Sequence, residues 1–232
     1  MTEARPNYGI DAPNIVRNLF IAGTATCALG FLIPALASLG FLSAIGFFVT
    51  GALMINYAQR GKYRVRDLIL SRVSWRGDET VLDVGTGRGL LVIGAAKRLR
   101  SGSATGIDIW NAEDLSGNNI ENTLQNADLE GVKDKVYIKN EDARRMNFAE
   151  QSFDVVISNL CLHNIYDAEE RSQALGEIVR VLKHRGRAVI SDFRHVHQYA
   201  DFFRSMGLTV KVEKIPLWIG FPPLTMVIAT KS

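Results

Sequence analysis

Between residues 80 and 89 the chain reads Thr80-Val81-Leu82-Asp83-Val84-Gly85-Thr86-Gly87-Arg88-Gly89. Apolar, β-branched residues run into a turn with glycine at every second position. Leu90-Leu91-Val92-Ile93-Gly94-Ala95-Ala96-Lys97 follows and reads as a helix. A strand, a tight glycine turn and a helix place backbone N–H groups where a ligand can come close to the main chain. Dinucleotide-binding turns follow G-x-G-x-x-G. This turn is G-x-G-x-G with an acid, Asp83, just ahead of it. A carboxylate there suits a cationic ligand and repels a pyrophosphate.

Moving outward, strand signals recur with helical stretches between them. Ala104-Thr105-Gly106-Ile107-Asp108 is a second strand ending in an acid, followed by Ile109 and Trp110. Lys135–Asn140 reads as a third strand and runs into Glu141-Asp142-Ala143. Phe153–Asn159 is the fourth, and a helix over Ala168–Leu182 leads to a fifth over Arg187–Asp192. Leu208–Ile215 and Leu224–Lys231 close the series. Alternating strands and helices predict an α/β fold.

Taken in order, these motifs resemble the class I S-adenosylmethionine-dependent methyltransferases, in the style of the small-molecule enzymes of ubiquinone and menaquinone synthesis. The resemblance spans about Arg64–Ser232. It implies a Rossmann-like, seven-stranded, mostly parallel sheet with helices on both faces and an antiparallel last strand. It implies S-adenosylmethionine as cofactor. Asp83 with Gly85, Thr86, Gly87 and Gly89 would hold the cationic amino-acid end. Asp108 would accept from the ribose hydroxyls, and Ile109 and Trp110 would lie beside the adenine. Asp142 would take the adenine amino group, with a backbone N–H near Ala143 on a ring nitrogen. Asn159, closing the fourth strand, completes the expected cofactor set. One departure is Leu182-Lys183-His184-Arg185-Gly186, where the family often has Leu-Lys-Pro-Gly-Gly, and it is expected to form a variant turn.

In open parallel sheets the ligand crevice lies at the carboxyl ends of the strands. The acceptor is therefore expected near Asn159–Tyr166 and Asp192–His197, which together hold three of the four histidines. A sulfonium is already a good electrophile, so the protein must mainly align the nucleophile, which contributes about 7–11 kcal/mol. A general base adds typically 10²–10⁴-fold, and His163 is the candidate because imidazole titrates near neutral pH. A histidine that only hydrogen-bonds or packs within its loop accounts for the same residue. Cys161 reads as a small buried side chain rather than a nucleophile.

The N-terminal quarter is different. From Asn18 to Gln59 there is no Asp, Glu, Lys or Arg. Crossing a bilayer takes roughly 20 helical residues, so this stretch suits two spans and a turn. The helices are expected near Ile15–Ala37 and Phe41–Ala58, with Ser38-Leu39-Gly40 as the turn and Pro34 tolerated within a span. Gly23, Cys27, Ala44 and Gly46 would allow close helix contact. Arg5 and Arg17 precede the pair, Arg60, Lys62, Arg64 and Arg66 follow it, and the turn carries no charge. The positive-inside rule then puts both ends in the cytoplasm. The expected domains are a membrane hairpin over residues 1–60 and a methyltransferase domain over 61–232. A signal peptide cleaved after Ala35-Leu36-Ala37, a buried soluble hairpin and an in-plane helix pair are the competing readings of the N-terminus.

Net charge is +3 with no basic stripe interleaved with aromatics, which gives no ground for nucleic acid as a partner. Cys27 and Cys161 show neither disulfide nor metal-ligand spacing, and no metal is expected. The expected partners are a membrane and a small or lipid-like acceptor, with oligomerisation through the hairpin as a further option. The uncharged stretch Pro216–Pro223 is unusually apolar for a loop, and with the basic run after the hairpin it is expected to lie near the membrane. Two other functions compete with a membrane-anchored methyltransferase: a non-catalytic, membrane-tethered cofactor binder, and a nicotinamide-dependent reductase.

Overall fold

The computed structural model describes residues 5–232; the first four residues of the expected hairpin domain lie outside the described residues. Two long helices come first, α1 (Pro13–Leu32) and α2 (Ala37–Asn56). One π-helical turn, Tyr57–Gly61, carries α2 into α3 (Lys62–Leu70) without a break. The boundary expected at residue 60 thus falls inside a continuous helix.

Beyond α3 the chain alternates strand and helix: β1 (Thr80–Val84), α4 (Leu90–Ala96), β2 (Ser103–Asp108), α5 (Ile120–Leu129), β3 (Val136–Asn140), β4 (Phe153–Asn159), α6 (Ala168–Val181), β5 (Leu182–Asp192), α7 (Val196–Ser205), β6 (Thr209–Lys214) and β7 (Thr225–Thr230). These strands form one sheet in the order β3-β2-β1-β4-β5-β7-β6. Only β7 is antiparallel to its neighbours, pairing Asp192 with Thr225 on one side and Lys214 with Thr225 on the other. This is the α/β, Rossmann-like sheet expected, with the order reversing between β1 and β4.

Alternation along the strands builds two cores. Val81, Val155, Ile157 and Val189 face a cluster containing Ile69, Leu70, Val92 and Ile93 of α3 and α4. Leu82, Val84, Val156 and Ile190 face Leu175, Ile178, Tyr199 and Phe203 of α6 and α7. Both faces of the central strands are covered, which explains their nearly continuous apolar runs. α6 starts where Asp167 accepts from the Glu169 and Glu170 N–H groups at 2.8 and 2.9 Å.

Two details differ from expectation. The helical hairpin turns at Ile33–Leu36, ahead of Ser38-Leu39-Gly40. Proline drives the preceding residue out of the α region, and Ile33 is extended at φ −125°, so Pro34 ends the first helix instead of bending it. Gly40 sits inside α2, against the Thr26 carbonyl and Gly30. The α1–α2 seam uses glycines opposite phenylalanines, Gly23 against Phe48 and Gly51 against Phe20, while Gly46 faces away from it. Second, β5 begins at Leu182 rather than Arg187. The variant turn is absorbed into its irregular first half, where Arg185 adopts φ +60° and the register to β4 shifts.

Both N-terminal helices are long and apolar enough to cross a membrane, and only 17% of the most apolar window of each is buried. A hairpin serving as the core of a soluble domain would be mostly buried. Here Phe31, Leu32, Leu39 and Leu42 point outward.

Candidate active site

The carboxyl ends of β1, β2, β3 and β4 open into a cleft of about 450 Å³. Asp83 sits at its floor and is 1% exposed. Its Oδ2 accepts from the Thr86 hydroxyl at 2.8 Å and the Val92 N–H at 2.9 Å, while Oδ1 is buried with no partner. Burial pushes the carboxyl up to about 7 against those two stabilising hydrogen bonds. A buried acceptor without a donor is costly, and a cation at Oδ1 removes that cost.

Gly85, Gly87 and Gly89 all have positive φ, at +73°, +52° and +88°. A side chain on Gly85 would strike Cys161, and one on Gly87 would strike Leu115. The loop's N–H groups do not form an open cradle, contrary to the simplest reading of the motif. Gly85 and Thr86 donate to the Ile107 carbonyl, Gly87 to Asp108 Oδ2 and Gly89 to the Thr86 carbonyl. Glycine here permits the positive φ and the close approach of Cys161 and Leu115, and the loop offers no open set of donors for a phosphate. The charge balance agrees: eight acidic residues, Asp83, Asp108 and Asp114 among them, line the cleft against Lys62, Arg88 and Arg144. Such a lining favours a sulfonium and an ammonium over a pyrophosphate.

Asp108 ends β2, with Oδ1 also accepting from the Trp110 N–H at 2.7 Å. Ile109, 62% exposed, lines the cleft beyond it; Trp110 takes φ +61° and lies outside the lining. Asp142 and Ala143 line the far end. Both oxygens of Asp142 accept from Arg144, which holds the carboxyl below its usual range. Asn159 lines the cleft at the end of β4, and its Oδ1 is buried without a partner. Burial and the surrounding carboxylates push the Cys161 thiol well up, which suits packing and not nucleophilic attack.

His163 stands behind this wall. Its Nδ1 lies 2.8 Å from Asp192 Oδ1, its backbone N–H donates to Asp192 Oδ2, and its ring packs edge-on against Phe193. The cleft lining passes from Cys161 to Asn164 without it. Asp192 is 1% exposed and also accepts from the Tyr199 hydroxyl at 3.3 Å.

The structure adds residues that sequence reasoning did not assign to the site. Residues 7–12 form a strap across the cleft mouth. The Asn7 N–H donates to Asn126 Oδ1, Asn126 Nδ2 returns to the Asn7 carbonyl, and the Tyr8 hydroxyl donates to Glu130. Ile10 pairs with Ser116, and the Ala12 N–H donates to the Asp114 carbonyl. Lys62, 2% exposed, clamps the strap from α3: Nζ donates to the Tyr8 and Gly9 carbonyls at 3.0 and 2.8 Å and lies 3.0 Å from Asp11 Oδ2. Tyr8, Asp11 and Lys62 all line the cleft. Lys62 therefore does not belong to a basic surface, as expected of the run from Arg60 to Arg66; it shares an inner helix face with Val65 and Ile69, at helical spacing.

Residues 76–214, more than half of the chain, match a family model described as a methyltransferase domain. The chain belongs to the class I S-adenosylmethionine-dependent methyltransferases. The methyltransferase is 31% identical over 129 residues to the ubiquinone/menaquinone biosynthesis C-methyltransferase of Geotalea daltonii, covering 55% of this chain and 51% of that one. It is 30% identical over 138 residues to the demethylmenaquinone methyltransferase of Lactiplantibacillus plantarum, covering 59% and 54%. The chain thus spans about half the length of these curated relatives. Among solved structures, the [4+2]-cyclase SpnF superposes with a TM-score of 0.60 at 17% identity, over 73% of this chain and 81% of that one. At that identity the likeness shows the fold alone. The orphaned Asp83 oxygen, the cleft lined by Gly85 and Gly87 and its acidic lining fit the family's cofactor.

Proposed function

We propose that the full chain is a membrane-anchored methyltransferase that transfers the methyl group of S-adenosylmethionine to a small, lipophilic acceptor of quinone type. The observation that carries this reading is the position of the hairpin. Its two ends, Asp11 before α1 and Lys62 after α2, both line the cleft that contains Asp83. A helix pair long and apolar enough for a bilayer thus starts and finishes at the cofactor site, and the relatives named for quinone methylation supply the acceptor class. Arg5 ahead of α1, Arg17 near its start and Arg60 just past α2 support a cytoplasmic side for both ends.

In this reading Asp83 receives the cofactor's ammonium and Asp108 its ribose hydroxyls, with Ile109, Asp142 and Ala143 about the adenine and Asn159 toward the methyl end. The cofactor supplies an electrophilic methyl. Cys161, Asn164 and Ile165 border the space left for the acceptor. His163 is the candidate base on the strength of its loop, since Cys161 and Asn164 on either side border that space; its ring lies behind the lining, with Nδ1 2.8 Å from Asp192 Oδ1.

The test is the fate of label from methyl-labelled S-adenosylmethionine incubated with the full-length protein and native membranes. Label in the organic extract, in a product with a quinone spectrum, is expected. Label confined to protein, nucleic acid or water-soluble products contradicts the acceptor class. His163→Asn should lower turnover 10²–10⁴-fold with cofactor affinity unchanged; unchanged turnover gives His163 a framework role only.

A further inference from the structure

We infer that the turn between β6 and β7 is a second membrane contact, seated in the headgroup layer of an anionic bilayer and setting the angle at which the cleft meets it. The inference rests on the reading of α1 and α2 as membrane spans. The turn is closed on itself: the Ile219 and Gly220 N–H groups both donate to the Pro216 carbonyl, at 3.0 and 3.2 Å. Its inner side is anchored, with Ile215 and Leu224 buried and Ile219 and Phe221 packed on the core that contains Tyr57. Its tip is not. Leu217 is 69% and Trp218 80% exposed, so two large apolar side chains project side by side from a rigid support.

The position of the turn names the occupant. A Cβ on Gly61 would lie 2.7 Å from the Ile219 carbonyl oxygen, so the turn sits directly against the helix that leaves the hairpin. Gly61 directly follows Arg60, the first charged residue after the uncharged stretch that ends at Gln59, so the turn lies at the polar edge of the span. The polar layer on each side of a bilayer's hydrocarbon is about 5–8 Å thick. Trp218 therefore emerges at the depth where tryptophan is favoured, body in the acyl boundary and indole N–H in the headgroups. Arg60 and Arg64 are exposed on the adjoining helix, and residues 215–224 carry no charge of either sign. Cations beside an uncharged apolar tip match an anionic leaflet.

Trp218 can be read by fluorescence. Full-length protein is reconstituted in phosphatidylcholine vesicles with and without phosphatidylglycerol, floated on a density gradient, and its emission compared with that of Trp218→Phe. The component lost in Trp218→Phe should lose most of its intensity when lipids brominated near the headgroup are used, and should resist aqueous iodide. The quench should deepen when phosphatidylglycerol is present. Protein that floats while this component is quenched by iodide and spared by brominated lipid overturns the inference and leaves the spans intact. Equal quenching in neutral and anionic vesicles overturns its anionic part. Protein that fails to float overturns the spans and this contact together.

Discussion

At the scale of single residues, Asp83 links burial to ligand charge. Its carboxyl is pushed up to about 7 by burial, whereas an unfolded aspartate titrates near 4. Between those values the folded protein holds a proton that the unfolded chain has released. Its stability contribution therefore declines as pH rises from about 4 to 7. Binding of a cationic ligand runs the other way, because only the ionised carboxylate attracts an ammonium. The affinity for S-adenosylhomocysteine should rise roughly tenfold from pH 6 to pH 8, following the ionised fraction, with proton release on binding. Calorimetry in two buffers of different ionisation enthalpy measures both. A flat profile in the native chain, or an unchanged slope in Asp83→Asn, would sink this assignment. Asp83 was legible in the sequence as an acid just ahead of alternating glycines, and it lines the floor of the cleft. Trp110 shows the limit of such reading. A residue two positions past a strand end can point anywhere, and that Ile109 lines the cleft while Trp110 takes a positive φ is a loop property no local pattern reports.

At the scale of elements, the seven strands follow from apolar runs and glycine punctuation, and their sheet from the family resemblance. The errors fell where one residue decides between two structures, as at Pro34. Lys62 is the instructive case. Its neighbours Arg60 and Arg64 are exposed, and composition alone treats the three alike; the spacing Lys62, Val65, Ile69 places it inward. The strap it clamps was beyond reach from sequence, since Asn7–Ala12 has no periodicity and gains its structure from partners more than a hundred residues away. Lys62→Met keeps the stem and removes three interactions with Tyr8, Gly9 and Asp11. Cofactor affinity should weaken by at least about 1.5–3 kcal/mol, the range for one charged hydrogen bond, and the Ile10 and Ala12 amides should exchange faster. Unaltered exchange at those amides would show that α5 and Ser116 hold the strap without the clamp.

At the scale of the whole molecule, the hairpin and the catalytic sheet cannot be treated as a tether and its cargo. The strap enters α1 directly, and α2 continues through the π-helical turn into α3, which packs on α4 beneath the cofactor loop. In π-helical turns the hydrogen-bond ladder shifts register, and they occur often at functional sites. Here the turn places Tyr57 beneath Asn159, in the buried interior. An acceptor drawn from the bilayer would meet walls built partly by the segments that flank the hairpin, at Tyr8, Asp11 and Lys62. The most direct measurement is surface dilution in proteoliposomes containing the full-length protein, methyl-labelled S-adenosylmethionine and a demethylated quinol. Inert lipid is added while the bulk quinol concentration is held constant. Label in the quinol is expected, with an initial rate that falls as the quinol's mole fraction in the bilayer falls. A rate that follows bulk concentration alone, or bound cofactor with no label in the lipid phase, would contradict it.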